Sequence, residues 1–385
     1  MPLTSPVIAA IPLAIWLYLT FLRGNFWKLE EDSIEPKPLE RWPRVVAIIP
    51  ARNEAATIAR AVTSLLGQEY PGDFSMVVVD DHSDDGTGEL ALKAVEESGA
   101  AQRVSVQAAG ALLPGWTGKL RALDEGVQTC SKSAPGYFWF TDADIVHAPD
   151  TLRRLVSRAE AEALDVASLM VLLQAKTFPE RLLIPPFLYF FLMLYPPRWI
   201  ADPQKRTAGA AGGCILLRRA ALERIGGLRS IRNEVIDDCA LARAVKKSGG
   251  KIWMGVTRAS VSLREYKTFA EIRDLIARTA FTQLRYSSLL LVATLLGLFV
   301  TYWLPWILFF AGEDPAWLLG STAASLMTVT FLFTVKFYAC PAIWALTLPF
   351  AAAVYGYLTF LSAVRYWLGR GAQWKGRSQA PKGSD

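Results

Sequence analysis

Hydrophobic positions fall into three patterns along this chain. From Val7 to Leu22 they run without a charge, and Arg23 and Lys28 follow. Between Arg44 and Tyr286 short apolar runs alternate with segments of helical period. From Ser288 onward long apolar runs return, at about Ser288–Phe310, Trp317–Val335 and a proline-interrupted stretch from Tyr338 to Val364. Runs of this length can cross a bilayer, and their succession favours membrane spans over buried core helices.

At the N-terminal end the positive charge follows the apolar run, whereas a cleaved leader carries it in front. The run therefore reads as a retained anchor over residues 1–28, with the next domain in the cytosol by the positive-inside rule. The C-terminal region, 287–368, is less simple. Three spans starting from the cytosol would put the basic tail at 369–385 outside. The last stretch then lies in the interface, re-enters, or splits near Pro349.

The middle reads as α/β. Strands are predicted at Val45–Ile49, Met76–Val79, Val104–Gln107 and Tyr137–Phe140, and helices at Ala55–Leu66, Thr87–Glu97, Lys119–Thr129 and Thr151–Ala163. Alternation at this spacing predicts a mostly parallel sheet flanked by helices. The stretch Leu182–Ile200 interrupts the pattern with aromatics and paired prolines, which disfavour a straight spanning helix. It reads as an interfacial segment resting on the membrane, or as an apolar lid or core element.

Composition agrees with the membrane reading. Of 385 residues 52% are hydrophobic, 13 are Trp, and the mean hydropathy is +0.26. The net charge of +6 suits anionic headgroups or phosphates, and no basic helix and no aromatic-rich single-strand-binding motif points to nucleic acid. Four scattered cysteines lack metal-ligand spacing, and His82 and His147 are the only histidines, too few for a His-based zinc site.

Candidate chemistry collects at strand ends. The run Tyr137–Phe140 leads into Thr141-Asp142-Ala143-Asp144, two carboxylates at the rim of a sheet, where open α/β sheets bind ligands. Such oxygens suit Mg²⁺ or Mn²⁺ arriving with substrate phosphates, although a solvated turn has the same spelling. The first strand ends in Pro50-Ala-Arg52-Asn-Glu54 and the second in Asp80-Asp81-His-Ser-Asp84-Asp85. Asp81 is a candidate partner for a nucleobase and Glu54 for base or ribose, while Asp84 and Asp85 also read as helix caps. Lys119 opens a helix toward the same rim. No dinucleotide fingerprint or phosphate loop is present, so phosphates would be held by metal and cationic side chains. Further on, Gly209-Ala-Ala-Gly212-Gly213 permits close backbone approach. Asp237 and Asp238 then begin a helix near Cys239, as caps or, for one of them, as a general base.

Taken in order, PARNEA, VVDDHSDDGT, WTGK, TDAD, GAAGG and IDD resemble the family 2 glycosyltransferases of GT-A fold over about residues 44–286. With its apolar ends and the closing Trp374-Lys-Gly-Arg377, the chain looks most like the membrane members associated with bacterial hopanoid biosynthesis. The resemblance implies an inverting, metal-dependent enzyme using a nucleotide-diphosphate sugar and Mg²⁺ or Mn²⁺. Its acceptor would be a lipid, and its place the bacterial inner (plasma) membrane with the catalytic domain cytoplasmic. Carried over by residue, Pro50, Arg52, Glu54, Asp81 and Lys119 would form the donor site. Asp142 and Asp144 would hold the metal-diphosphate, Gly212, Gly213 and Asp237 would face the acceptor, and Asp238 would be the base.

Two departures stand out. The family commonly has Glu-Asp where this chain has Asp237-Asp238, and Thr282-Gln283-Leu-Arg285-Tyr286 is only a near relative of Gln-x-x-Arg-Trp. Gln283 is carried to the acceptor side and Arg285 to the diphosphate on that weaker likeness. A processive polysaccharide synthase and a non-catalytic nucleotide-sugar-binding scaffold are the alternatives. The incomplete motif weighs against the first, and the retained aspartates against the second.

Overall fold

The structure is a computed structural model describing residues 6–29, 31, 38–369, 373–374 and 377–378. The chain divides into two compact units: a helical one (Met1–Leu29, Gln174–Arg198, Glu265–Ala372) and an α/β one (Glu30–Leu173, Trp199–Arg264, Gln373–Asp385).

An eight-stranded sheet organises the α/β unit. Its strands are β1 (Val45–Ala51), β2 (Phe74–Asp80), β3 (Val104–Ala108), β4 (Tyr137–Phe140), β5 (Ile145–His147), β6 (Val166–Leu172), β7 (Ile215–Arg218) and β8 (Ile252–Ser262), in the order β3-β2-β1-β4-β7-β6-β8-β5. β1 pairs in parallel with β2 and β4, β2 with β3, and β6 with β8. β7 runs antiparallel to both β4 and β6, and β5 antiparallel to β8. The sheet is thus mixed, with a parallel block carrying the first three motif turns at its carboxyl edge.

Sequence explains this block locally. Every residue of β1, VVAIIPA, is buried, as expected for a central parallel strand covered on both faces. Helix α1 (Ile58–Leu66) buries Ile58, Ala61, Val62 and Leu65, an i, i+3, i+4, i+7 stripe. It begins three residues later than the predicted Ala55, because the intervening backbone is spent on the turn: the Ala55 N–H donates to Asp85 Oδ2 at 3.0 Å. Helix α2 spans Thr87–Glu97. Helix α3 (Gly118–Cys130) starts at Thr117, whose hydroxyl accepts from the Leu120 N–H. Its Gly126 lies so close to β1 that an added Cβ would sit 2.4 Å from Ile48 Cγ2. After α4 (Thr151–Ala161) and α5 (Arg219–Arg224), helix α6 (Asp237–Lys247) begins two residues before the predicted Cys239, which brings Asp237 and Asp238 into its first turn.

Among the described residues the helical unit contains three helices long and apolar enough to cross a membrane: Ser288–Ala311, Ala316–Phe337 and Ala342–Trp367. A shorter apolar helix runs over Pro6–Leu22, and its Trp16 indole donates to the Thr301 carbonyl at 2.7 Å. Pro349 does not split the last helix. It occupies the first turn of the α-helical part, Leu348–Trp367, where the missing N–H costs no hydrogen bond.

Over the paired prolines the chain remains helical. Phe178–Leu194 is one helix with Pro185 and Pro186 inside it, started by a Thr177–Glu180 capping box. Most of its proline-containing middle is buried among apolar neighbours, and such packing tolerates the donors that proline removes. Most of the basic tail lies outside the described residues; within it Gln373–Trp374 and Arg377–Ser378 pair as short antiparallel strands.

Candidate active site

The turns after β1 and β2 are stitched together. Arg52 Nη1 donates to the Asp81 carbonyl at 2.5 Å and approaches Asp81 Oδ2 at 3.9 Å. The Asn53 N–H donates to Ser83 Oγ, the Asp84 N–H to Asn53 Oδ1, and the Glu54 N–H to Thr87 Oγ1. Asn53 and His82 both take positive φ, near 51° and 55°, the left-handed conformation that a tight turn asks of one residue. Asp81 is only 2% exposed. Asp85, just before the Gly86 N-cap of α2, accepts from the Thr87 and Ala55 N–H groups; burial raises its pKa, but these hydrogen bonds lower it overall.

Beyond β4 each aspartate of the Asp-x-Asp turn meets its own cation. Lys119 Nζ lies 2.8 Å from Asp142 Oδ1 and 3.6 Å from Asp237 Oδ2. Burial opposes the lysine's charge, but Asp142, Asp237 and Asp238 together raise its pKa above the usual range. Arg264 Nε lies 3.2 Å from Asp144 Oδ2, and its Nη2 donates to Glu54 Oε1 at 2.5 Å. Asp144 Oδ2 also accepts from Ser262 Oγ at 3.2 Å, and the Leu263 N–H donates to the Asp144 carbonyl at 2.7 Å. Burial pushes the Asp144 pKa up against the pull of Arg264, and Asp142 and Glu54 add repulsion.

Under this turn sits His147. Its Nε2 is 2.8 Å from Thr141 Oγ1 and its Nδ1 2.8 Å from Ser260 Oγ, with the Trp139 ring against its face. Burial lowers its pKa to about 3, so it is a neutral prop and carries no charge at the rim.

Asp238 faces the same pocket as Lys119, Asp142 and Asp237. Its Oδ2 accepts from the Gly212 N–H at 2.9 Å and its Oδ1 from the Cys239 N–H at 2.7 Å. Burial first, then the Asp237 charge, push its pKa up to about 6, against the pull of Lys119 and the two N–H donors. A Cβ at Gly212 would stand 3.2 Å from Lys119 Nζ and 3.3 Å from Asp238 Oδ2, so any side chain there would wedge into the pocket. Gly213 instead faces Val171 and Ile145 behind the turn, where smallness serves packing. Pro50 also lines the pocket.

Among the described residues no three His, Cys, Asp or Glu side chains converge as a ready-made metal cage. The donor chemistry still fits a hard divalent cation, because Asp142, Asp144 and Glu54 are close enough to repel and Mg²⁺-type ions use one or two carboxylates plus substrate phosphates.

Gln283 and Arg285 belong to the helical unit. Gln283 Nε2 donates to the Tyr195 hydroxyl at 2.6 Å, and Arg285 has a φ of 52°.

Two residues, one at this site and one at the far end of α6, escaped sequence reading. Arg264 follows β8, a strand whose alternation is broken by Gly255 and Arg258. Lys246, at the far end of α6, donates from Nζ to the carbonyls of Trp199, Ile200 and Thr207 at 3.0, 2.7 and 2.7 Å, fixing the segment that leads into Gly209–Gly213.

Residues 46–226 match the family described as Glycosyl transferase family 2. A solved structure, the mannosyltransferase PcManGT from Pyrobaculum calidifontis in complex with GDP-Man and Mn²⁺, aligns over 94% of this chain and 99% of its own, with a TM-score of 0.56 and 20% identity. The fold is GT-A. Two curated relatives carry the name N-acetylglucosaminyltransferase. The one from Mesorhizobium japonicum is 29% identical over 202 residues, 49% of this chain and 43% of the relative. The one from Rhizobium leguminosarum bv. phaseoli is 28% identical over 262 residues, 66% and 56% of the two chains. The chain spans about half the length of the curated relatives it matches. In the GT-A unit, all the candidate residues except Gln283 and Arg285 come from the ends of β1, β2 and β4, the start of α3, the turn before β7 and the start of α6.

Proposed function

We propose that this chain is a membrane-bound inverting glycosyltransferase that moves a sugar from a nucleotide-diphosphate donor to a lipid hydroxyl. One observation carries the reading: Lys119, Asp142 and Asp238 line a single pocket, so a cationic phosphate-side group and a carboxylate of raised pKa address the same space. In a single displacement only one base is needed. Asp238, held by the N–H groups of Gly212 and Cys239, would accept the acceptor hydroxyl's proton as that oxygen attacks the anomeric carbon.

On the donor side, Asp81 and Arg52 would take the nucleoside with Glu54, and Lys119 would lie along the diphosphate. Asp142 and Asp144 would hold Mg²⁺ or Mn²⁺, which when bound neutralises charge developing on the leaving diphosphate. Arg285 as a diphosphate contact and Gln283 on the acceptor side rest on the motif likeness alone. Asp237 would tune Asp238, and Gly212 would leave room for the acceptor.

The lipid acceptor and an inner-membrane location rest on the three apolar helices and on the resemblance to hopanoid-associated members, which makes a hopanoid or related glycolipid precursor the first acceptor to try. The relatives' names make N-acetylglucosamine the first donor sugar to try, and the solved neighbour makes mannose the second. Full-length protein in detergent, given these donors and bacterial lipid extract, is expected to release nucleoside diphosphate and form a glycolipid seen by mass spectrometry, both lost in EDTA. Release without any glycosylated lipid would remove the lipid acceptor, and full release in EDTA would remove the metal.

A further inference from the structure

Arg264 joins two strand ends that the proposed donor chemistry needs together. Its guanidinium touches Glu54 after β1 through Nη2 and Asp144 after β4 through Nε. The contact is built in rather than incidental. The Leu263 N–H ties the same segment to the Asp144 carbonyl, Ser262 Oγ shares Asp144 Oδ2 with the guanidinium, and the Arg264 N–H returns to Ser262 Oγ at 3.2 Å. Asp144 and Glu54 are both mostly shielded, with side chains 14% and 15% exposed. Two carboxylates in that setting need a counter-ion to stay together.

We infer that Arg264 is the internal counter-ion of Glu54 and Asp144, and that a divalent cation competes with it for Asp144. This rests on the metal reading of Asp142 and Asp144. The guanidinium lies against a carboxylate oxygen that a metal would also seek, and two cations a few ångströms apart repel. Arg264 therefore keeps the rim assembled without metal and makes metal binding weak until a donor diphosphate adds negative charge. Metal and donor would enter as a pair, because the diphosphate's negative charge offsets the repulsion between the metal and Arg264. Arg264 is a positioning residue in this account, acting through the two carboxylates.

The test is a titration of the full chain in detergent with Mn²⁺ alone, followed by electron paramagnetic resonance of free Mn²⁺ and by thermal unfolding. R264Q is expected to bind Mn²⁺ about tenfold or more tightly than wild type, as relief of charge repulsion at this distance predicts. It should also unfold earlier without metal and gain more from Mn²⁺ than wild type gains. R264K, which keeps the charge, should remain close to wild type. Equal or weaker Mn²⁺ binding by folded R264Q, or R264K binding as tightly as R264Q, overturns the inference. Should R264Q be recoverable only with Mn²⁺ present during purification, the counter-ion role is supported. If R264Q cannot be recovered at all, R264K alone decides, a metal affinity well above wild type again overturning the proposal. Mn²⁺ binding that survives both D142N and D144N, or is absent from every variant, overturns the metal reading itself and this inference with it, an outcome separate from a mere failure of competition.

Discussion

Asp81 shows how much one buried carboxylate can be asked to do. Arg52 reaches mainly the main-chain carbonyl of Asp81, so Asp81→Ala leaves the stitched turns with most of their bonds. Under the proposed donor role the Asp81 carboxylate would meet the nucleoside, and a charge-assisted contact is worth about 1.5–3 kcal/mol. Asp81→Ala should therefore weaken nucleoside-diphosphate binding by about 10–100-fold in calorimetry. Unchanged affinity would return Asp81 to a purely structural place beside Asp85. Asp237 and Asp238, read from sequence as caps or, for Asp238, as the base, have different partners in the structure. Asp238 takes two backbone N–H donors, while Asp237 reaches Lys119 and raises the pKa of Asp238. A general base must be ionised, so turnover should rise with pH through about 6 and fall away below it. Asp237→Asn removes a like charge and should move that acidic limb to lower pH. A limb that stays in place would show that Asp237 does not tune the base.

At the scale of elements, what could be read in sequence were the segments whose pattern is decided locally. The strands β1, β2, β3 and β4 and the helices α2, α3 and α4 came out within a few residues, because short apolar runs and helical periods alternate cleanly there. β6 and β8 did not. VASLMVL is a short apolar run that fits a buried strand or helix equally, and β8 carries Gly255 and Arg258 in mid-strand. The loss of β8 hid Arg264, since a residue after an unrecognised strand cannot be placed at the rim. The antiparallel insertion of β7 was illegible for another reason: strand direction depends on partners far along the chain. Lys246 belongs here too. Three carbonyl contacts from one ammonium fix residues 199–207, and burial lowers its pKa with Asp202 pulling the other way. Lys246→Met keeps the apolar stem but removes those bonds, a loss of about 1–3 kcal/mol. Amide hydrogen exchange should then quicken over residues 199–213 while β1 and β2 are unaffected. Unaltered exchange there would make Lys246 an ordinary surface charge.

For the whole molecule, three apolar helices among the described residues and a GT-A unit occur in one chain, and the proposed lipid acceptor would give both a purpose. Under the proposed function Asp238 would activate a lipid hydroxyl against a donor held by the Asp142–Asp144 rim. The most direct measurement compares wild type, Asp238→Asn and Asp237→Asn, each as full-length protein in lipid vesicles, for glycolipid formed at saturating donor near neutral pH. Asp238→Asn should lose about 10²–10⁴-fold in turnover, the usual worth of a general base, with donor affinity little changed. Asp237→Asn should lose far less. Equal losses, or a larger one at Asp237, would contradict the account.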